Sequence, residues 1–398
     1  VSQQPLAAAM SPDPHRRIRG VFAHLRPELV ASAVHEHALP RGGGSIVVVT
    51  GAAGYIGGWL VVKLLERGHT VRACVRDVNN DSKVGFLKAM PDFGGRLSLH
   101  AADMTVEGAY VAIFEGAHTV FHPAEVFMSF AGGRARDAAQ KDFGGKATAQ
   151  ALNEHALRSS RFLVDSINRT STVRRLIYTS SIAAILPNLR DLIARPSVDE
   201  TREPGADKVG EHSYAITKRS TEHFFAYQAS ISGGRWSAIV ANPSDVVGPV
   251  LAQHQAAETW QGKLAGILRG VPAEQELTGR PWMLVDARDV AEAEIRLAES
   301  PDVESGQRFM LTSGDKVFPE DLGPRIMELY PSYQCATTVA PPARTKEVVR
   351  SEPFWIRVHL RNDKVANAIG MSFHSFDDTL RATVESLTTI GGITPNLK

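Results

Sequence analysis

The chain has 398 residues, 43% of them hydrophobic and 22% charged, with a formal net charge of +1. This is an ordinary globular balance, long enough for a large core in one or two domains, and it carries no sign of a nucleic-acid or acidic partner. No apolar run reaches the ~20 residues that a membrane-spanning helix needs, so the composition points to a soluble protein, with attachment to a membrane assembly left open.

Residues 1–44 differ from the rest. They hold five prolines and end in Arg41-Gly-Gly-Gly44, and five arginines stand against three acidic residues. Two readings stand: a remnant of a targeting segment or docking arm, and a mobile leader. Residues 18–34 have a short helical pattern that Pro27 interrupts. The first residue is Val1, as in a processed form or a fragment.

From residue 45 onward, β-branched runs alternate with helical stretches. Residues 46–49 read as a buried strand and run into Thr50-Gly51-Ala-Ala-Gly54-Tyr-Ile-Gly57. Residues 55–67 read as a helix with Ile56, Leu60 and Leu64 on its inner face and Gly68 as its stop. Glycines between a strand and a helix allow a tight turn and close backbone approach to a pyrophosphate. The free N–H groups at the helix start, at Tyr55, Ile56 and Gly57, then face the anion.

Residues 71–75 form the predicted second strand, which ends in Val75-Arg76-Asp77. An acid at that strand end suits the ribose of NAD, whereas an arginine suits the extra phosphate of NADP. Arg76 and Lys83 are the candidate phosphate clamp. Arg72 lies inside the strand, and Asp77 keeps a ribose contact open. Residues 83–90 read as a helix stopped before Pro91, and residues 97–99 as the third strand. Asp103 after it is either an adenine-edge contact or a plain loop carboxylate.

Residues 119–122 form the predicted fourth strand. Residues 129–145 follow, rich in Gly and Ala without a period, and read as a flap over the site or a surface insertion. A long helix at 148–168 leads to a fifth strand at 175–179 and to Ser180-Ser181. One of these hydroxyls would hold a substrate carbonyl. Ser181 is the candidate and Ser180 the competitor, because neighbouring residues at a strand end point in opposite directions. The bland alternative is that both hydroxyls cap the next segment.

Residues 214–231 read as a helix that opens Tyr214-Ala-Ile-Thr-Lys218, and residues 236–240 as a sixth strand. Tyr214 and Lys218 are four apart and share one helix face. A phenol with a pKa near ~10 is poorly matched to proton transfer at neutral pH, and a nearby ammonium lowers that value. Tyr214 can then protonate a substrate oxygen while Lys218 also holds the nicotinamide ribose.

Strands separated by helices imply right-handed crossovers and a doubly wound, parallel Rossmann-type α/β sheet with its ligand at the carboxyl ends. The nucleotide-binding domain is placed at 45–242. Residues 243–398, with shorter predicted helices at 258–269, 289–299, 319–329 and 377–387, form mainly a smaller substrate lobe, part of which returns to the sheet. Asp286-Ala-Arg-Asp289 reads as the cap of a helix starting near Val290. Cys74 and Cys335 lack disulfide or zinc spacing and read as buried thiols of a reducing compartment, cytoplasm or organelle matrix. The fourteen histidines show no metal-ligand spacing, so no metal is expected, and His122 and His212 read as structural.

With these residues in hand, residues 45–330 resemble the extended short-chain dehydrogenase/reductases, in the branch of dihydroflavonol and cinnamoyl-CoA reductases. The segments that carry the likeness are Val49–Gly57, Val71–Asp77, Arg174–Ser181, Asn242–Pro249 and Val285–Ala291. The resemblance implies a Ser181–Tyr214–Lys218 triad, NADPH held by Arg76 and Lys83, and a C-terminal lobe that selects the substrate. Leu186 stands near the place of a polar amide in flavonoid-reducing relatives, and His122-Pro123-Ala124 replaces their usual His-Val-Ala. Pro123 lacks the N–H of a backbone contact to the cofactor. The expected function is an NADPH-dependent reductase of a ketone or aldehyde, on a mainly apolar substrate near Leu186, Phe127, Met128 and Phe130, with core packing as the other reading of these Phe and Met residues. The alternative is a non-catalytic NADP-binding subunit of a larger assembly. A homodimer is compatible with either.

Overall fold

The computed structural model describes residues 37–90, 94–124, 149–187, 189–204, 213–257, 259–274, 280–340 and 352–398. In chain order, β1 (Ile46–Val49) leads to α1 (Tyr55–Glu66), β2 (Thr70–Val75), α2 (Asp81–Lys88), β3 (Leu97–Ala101) and β4 (Thr119–His122). The chain continues through α3 (Ala149–Arg169), β5 (Arg175–Thr179), α4 (Ser213–Ser230) and β6 (Ser237–Pro243). It ends with α5 (Thr259–Leu268), α6 (Ala287–Glu299), β7 (Arg308–Leu311), α7 (Pro319–Leu329), α8 (Asp363–Ile369) and α9 (Phe376–Thr389).

The seven strands make one sheet in the order β7-β6-β5-β4-β1-β2-β3, and every neighbouring pair is parallel. Strand order reverses between β1 and β4. A crevice therefore opens above their carboxyl ends, where helices on opposite faces diverge.

The period of two along each strand decides which face a residue fills. Val47 and Val49 of β1 point into one core with Leu60, Val61 and Leu64 of α1 and Val290 and Ile295 of α6. Val48 points into the other, with Leu163 and Ile167 of α3 and Phe225 of α4. Leu64 is fully buried, and its truncation to Ala would cost about 2–5 kcal/mol.

A small sheet of Asp245–Val247, Trp282–Asp286 and Lys316–Val317 lies beyond β6. It packs with α5, α7 and α9 in a core that includes Trp282, Leu264, Leu322 and Val384. Asp286 caps α6, its carboxylate accepting from the Arg288 N–H, as its place in the sequence predicts.

Several boundaries differ from the sequence reading, and one strand is absent from it. Helix α2 starts at Asp81, two residues early, because an acid in the first turn suits the positive end of the helix dipole. Strand β6 runs on through Asn242 and Pro243, whose polar and ring side chains hide its end. Strand β7, at the edge of the sheet, has no sequence signal of its own: Arg308-Phe-Met-Leu311 neither alternates nor holds a β-branched residue.

A buried arginine braces the end of α6. Arg175 is fully buried with no ion pair among the described residues, and its guanidinium donates to the Leu297, Ala298, Ser300 and Val303 carbonyls. It thereby satisfies acceptors that a helix leaves open at its C-terminus. The end of the leader docks beside it. Leu39 is buried, its N–H donates to the Ala298 carbonyl at 2.7 Å, and His37 Nε2 donates to the Gly234 carbonyl at 2.7 Å. Residues 1–36, and the segment 129–145 read as flap or insertion, lie outside the described residues.

Candidate active site

The glycine turn stands at the mouth of the crevice. Gly51 has φ +60°, in the left-handed region, and a side chain there would meet the Ala124 backbone at 3.0 Å. A Cβ on Gly57 would lie 2.3 Å from the Gly51 carbonyl oxygen, so any larger residue would push α1 away from the turn. Gly54 is the N-cap of α1 and offers no side-chain bond, and the first turn holds no acid. The N–H groups of Tyr55, Ile56 and Gly57 thus begin the helix without intrahelical acceptors. The Tyr55 ring points elsewhere, with its hydroxyl donating to the Gly248 carbonyl at 2.5 Å.

At the end of β2, Arg76 and Lys83 are exposed and, among the described residues, engaged in no ion pair. Arg72 is held otherwise, donating to the Ile113 and Glu115 carbonyls at 2.6 Å each. Asp77 accepts from the Asn79 N–H at 2.9 Å. Asp103 folds one oxygen onto Thr105, accepting from its N–H at 2.8 Å and its hydroxyl at 2.7 Å. Burial raises the Asp103 carboxyl, but these bonds and the charges of Arg76 and His155 outweigh it and hold the group below its usual range. Arg76 and Asp103 are therefore neighbours across the ends of β2 and β3.

The end of β5 separates the two serines. Ser180 is buried and donates to Glu222 Oε1 at 2.5 Å, which turns it inward. Ser181 is partly exposed and is the N-cap of a short 3-10 turn, Ile182–Ala184, accepting from the Ala183 N–H at 3.1 Å. Its capping bond uses a lone pair and leaves the hydroxyl proton to be given elsewhere.

Helix α4 lies across this strand end. Lys218 is 3% exposed, and its Nζ donates to the Thr179 carbonyl at 2.9 Å. The same ammonium is 5.8 Å from the Tyr214 ring centre and 5.0 Å from that of Tyr178. Tyr214 is partly exposed at the start of the helix. One ammonium thus touches the strand end that leads into Ser181 and faces the Tyr214 ring.

His122 is buried, shares a 2.7 Å hydrogen bond with the Thr50 hydroxyl, and packs against Tyr178 and Phe225. Burial first, and then the charge of Lys218, lower its pKa to about 3, so it is a neutral structural ring. Pro123 follows β4, and the next N–H, of Ala124, reaches the Thr50 hydroxyl at 3.4 Å. Leu186 packs at the edge of an apolar cluster with Ile182, Ile185, Met283, Met310 and Trp355. Phe127, Met128, Phe130 and His212 lie outside the described residues. Both cysteines are buried thiols, and burial raises Cys74 to about 12 and Cys335 to about 11. Among the described residues no group of three His, Cys, Asp or Glu side chains is placed to hold a metal.

Sequence reasoning missed three neighbours of the strand ends. Glu222, 1% exposed, accepts from Ser180, from Asn242 at 2.6 Å and from Arg219 at 2.9 Å. Asn242 also donates to the Ser181 carbonyl at 3.0 Å. Glu294 is fully buried on the opposite face of the sheet and accepts from the Thr179 hydroxyl at 2.7 Å. The spacing Tyr214, Lys218, Glu222 repeats every four residues and was the available signal for Glu222.

The sequence profile of the NAD dependent epimerase/dehydratase family matches residues 47–311, from β1 to the end of β7. The chain belongs to this family. A cinnamoyl-CoA reductase of Medicago truncatula is 29% identical over 347 residues, 86% of this chain and 96% of its own length. A dihydroflavonol 4-reductase of Solanum lycopersicum is 29% identical over 311 residues, covering 77% of this chain and 74% of its own length. Among solved structures, Gre2 of Candida albicans in complex with NADPH superposes with a TM-score of 0.67 at 20% identity, covering 87% of this chain and 99% of that one. This member of the epimerase/dehydratase family thus shares its fold with a protein that holds NADPH. No helix among the described residues is long and apolar enough to cross a membrane.

Proposed function

We propose that this chain is an NADPH-dependent reductase that transfers a hydride to the carbonyl of a ketone or aldehyde. The observation that carries the reading is the Lys218 ammonium, bonded to the Thr179 carbonyl at 2.9 Å and facing the Tyr214 ring, beside the strand end of Ser181.

The residues present fit the dinucleotide. The start of α1 is uncapped and free of acids, as a pyrophosphate requires. Arg76 and Lys83 supply exposed cations for a ribose phosphate. At the end of β6, two buried polar atoms, Asn242 Oδ1 and Ser244 Oγ, have no hydrogen-bond partner among the described residues. Buried polar atoms need partners, and orphans at the carboxyl edge of the sheet are what a polar ligand would satisfy. The bound nicotinamide would supply the hydride.

The protein supplies the rest. Ser181 donates a hydrogen bond to the substrate oxygen and stabilises the charge that grows there. Tyr214 gives that oxygen a proton, and the adjacent Lys218 stabilises the phenolate left behind. In this reading residues 45–242 hold the cofactor, and residues 243–398 build most of the substrate wall while β7 and α6 return to the sheet. Leu186 and its apolar neighbours suit a mainly apolar substrate, and an apolar wall separates related substrates by only ~1–3 kcal/mol per methylene.

A panel of aromatic, aliphatic and polyhydroxylated carbonyls, assayed by NADPH oxidation, tests this. Turnover of several apolar ketones or aldehydes supports it. Tight NADPH binding with no turnover of any carbonyl would indicate a nucleotide-binding subunit, and strict preference for a polyhydroxylated substrate would overturn the apolar wall.

A further inference from the structure

Glu222 sits where three parts of the proposed site meet. It lies on α4, four residues after Lys218 and eight after Tyr214, on the same helix face. Its Oε1 accepts from Ser180 of the β5 end at 2.5 Å and from Asn242 of β6 at 2.6 Å. Its Oε2 accepts from Arg219 at 2.9 Å and lies 2.9 Å from Arg308 Nε of β7. Arg308 in turn donates to the Ala184 carbonyl at 2.8 Å, at the end of the 3-10 turn that Ser181 begins.

The Ser180–Ser181 unit is therefore held from both sides by groups that converge on one carboxylate. Ser180 bonds it directly, and Asn242 bridges it to the Ser181 carbonyl at 3.0 Å. All four of these side chains around Glu222 carry donors, and a carboxylate is the side chain that only accepts. A glutamine would turn an NH₂ group against two of those donors. Burial sharpens the mismatch, because the site excludes the water that could repair it.

We infer that Glu222 is a positioning residue: through Ser180 and Asn242 it sets the Ser181 hydroxyl against the Tyr214–Lys218 face of α4. This rests on the reductase reading above. The effect of Glu222 on turnover must therefore pass through Ser181. Positioning of reacting groups to a fraction of an ångström is worth large factors in rate, and residues that act as a unit are not additive.

The test is a double-mutant cycle with Glu222→Gln and Ser181→Ala, on the full chain. The readouts are kcat for the carbonyl turned over fastest and the Kd of NADPH. Glu222→Gln is expected to lower kcat by about tenfold or more and to leave the NADPH Kd within about threefold. In the Ser181→Ala background the same change is expected to lower kcat by less than about twofold. Equal losses in both backgrounds would overturn the inference, as would a loss confined to NADPH affinity. If Ser181→Ala alone leaves kcat unchanged, the reductase site itself is misassigned, which is a different failure. Should Glu222→Gln not fold, Ser180→Ala removes one arm and keeps the charges. It is expected to lower kcat several-fold in the native background and not in Ser181→Ala, and additive losses there would overturn the inference.

Discussion

The Lys218 ammonium donates to the Thr179 carbonyl, and the Thr179 hydroxyl donates to Glu294 on the other face of the sheet. A single residue at the end of β5 thus links the helix that carries Tyr214 to the helix that covers the opposite core. Thr179 is two residues before Ser181, so the relationship fixes one edge of the proposed site to both layers of the fold.

Cofactor choice follows from charge at the end of β2. Arg76→Ala is expected to weaken NADPH on the order of 10–100-fold, the loss of one charge-assisted contact, and to change NADH little. Fluorescence titration with both cofactors measures this. Equal weakening of the two, or wild-type preference for NADH, would contradict it.

Arg175 should matter to stability and not to chemistry. Arg175→Met keeps much of the bulk but leaves the carbonyls at the end of α6 without a buried donor. The expected cost is about 2–5 kcal/mol, read as a lower midpoint in urea. A change below about 1 kcal/mol would mean that water replaces the guanidinium at that helix end.

Stability should pass through a maximum in pH. His122 is held neutral down to about 3, and His37 and His118 down to about 4, in each case by burial first. These folded values lie below the unfolded value of about 6.5, so the unfolded chain binds more protons and stability falls as pH drops through that window. Each such histidine contributes a slope of up to about 1.4 kcal/mol per pH unit. Glu294 acts in the opposite sense. Burial raises its carboxyl to about 8, so from the unfolded value upward the unfolded chain releases a proton that the folded one keeps. Stability from this group is therefore lost as pH rises to about 8. Glu294→Gln should flatten that alkaline decline in urea melts at about pH 5, 7 and 8.5. An unchanged decline would show that Glu294 is ionised in the fold.

Much of the fold was legible because its signals are local. The β-branched run at 46–49, the Thr-Val-Phe stretch that opens 119–122, glycine punctuation and i, i+4 apolar pairs place β1, β4 and α1 within a residue. Long-range features were not legible. Strand β7 is defined by its pairing with β6, and Arg308 within it faces a carboxylate that only the folded chain brings near. The inward turn of Ser180 rests on its bond to Glu222, forty-two residues later, and so could not be read from the strand end alone. Asp103 was ambiguous in sequence, and its bonds to Thr105 favour the loop carboxylate for one of its oxygens.

The proposed reduction depends most on Tyr214 as the proton donor to the carbonyl oxygen. Tyr214→Phe keeps the ring beside Lys218 and removes only the hydroxyl. With NADPH binding confirmed by titration, kcat for the best carbonyl is expected to fall on the order of 10²–10⁴-fold, as for other general acids. Near-normal turnover in a folded, NADPH-binding Tyr214→Phe protein would contradict the account and make Tyr214 a structural residue.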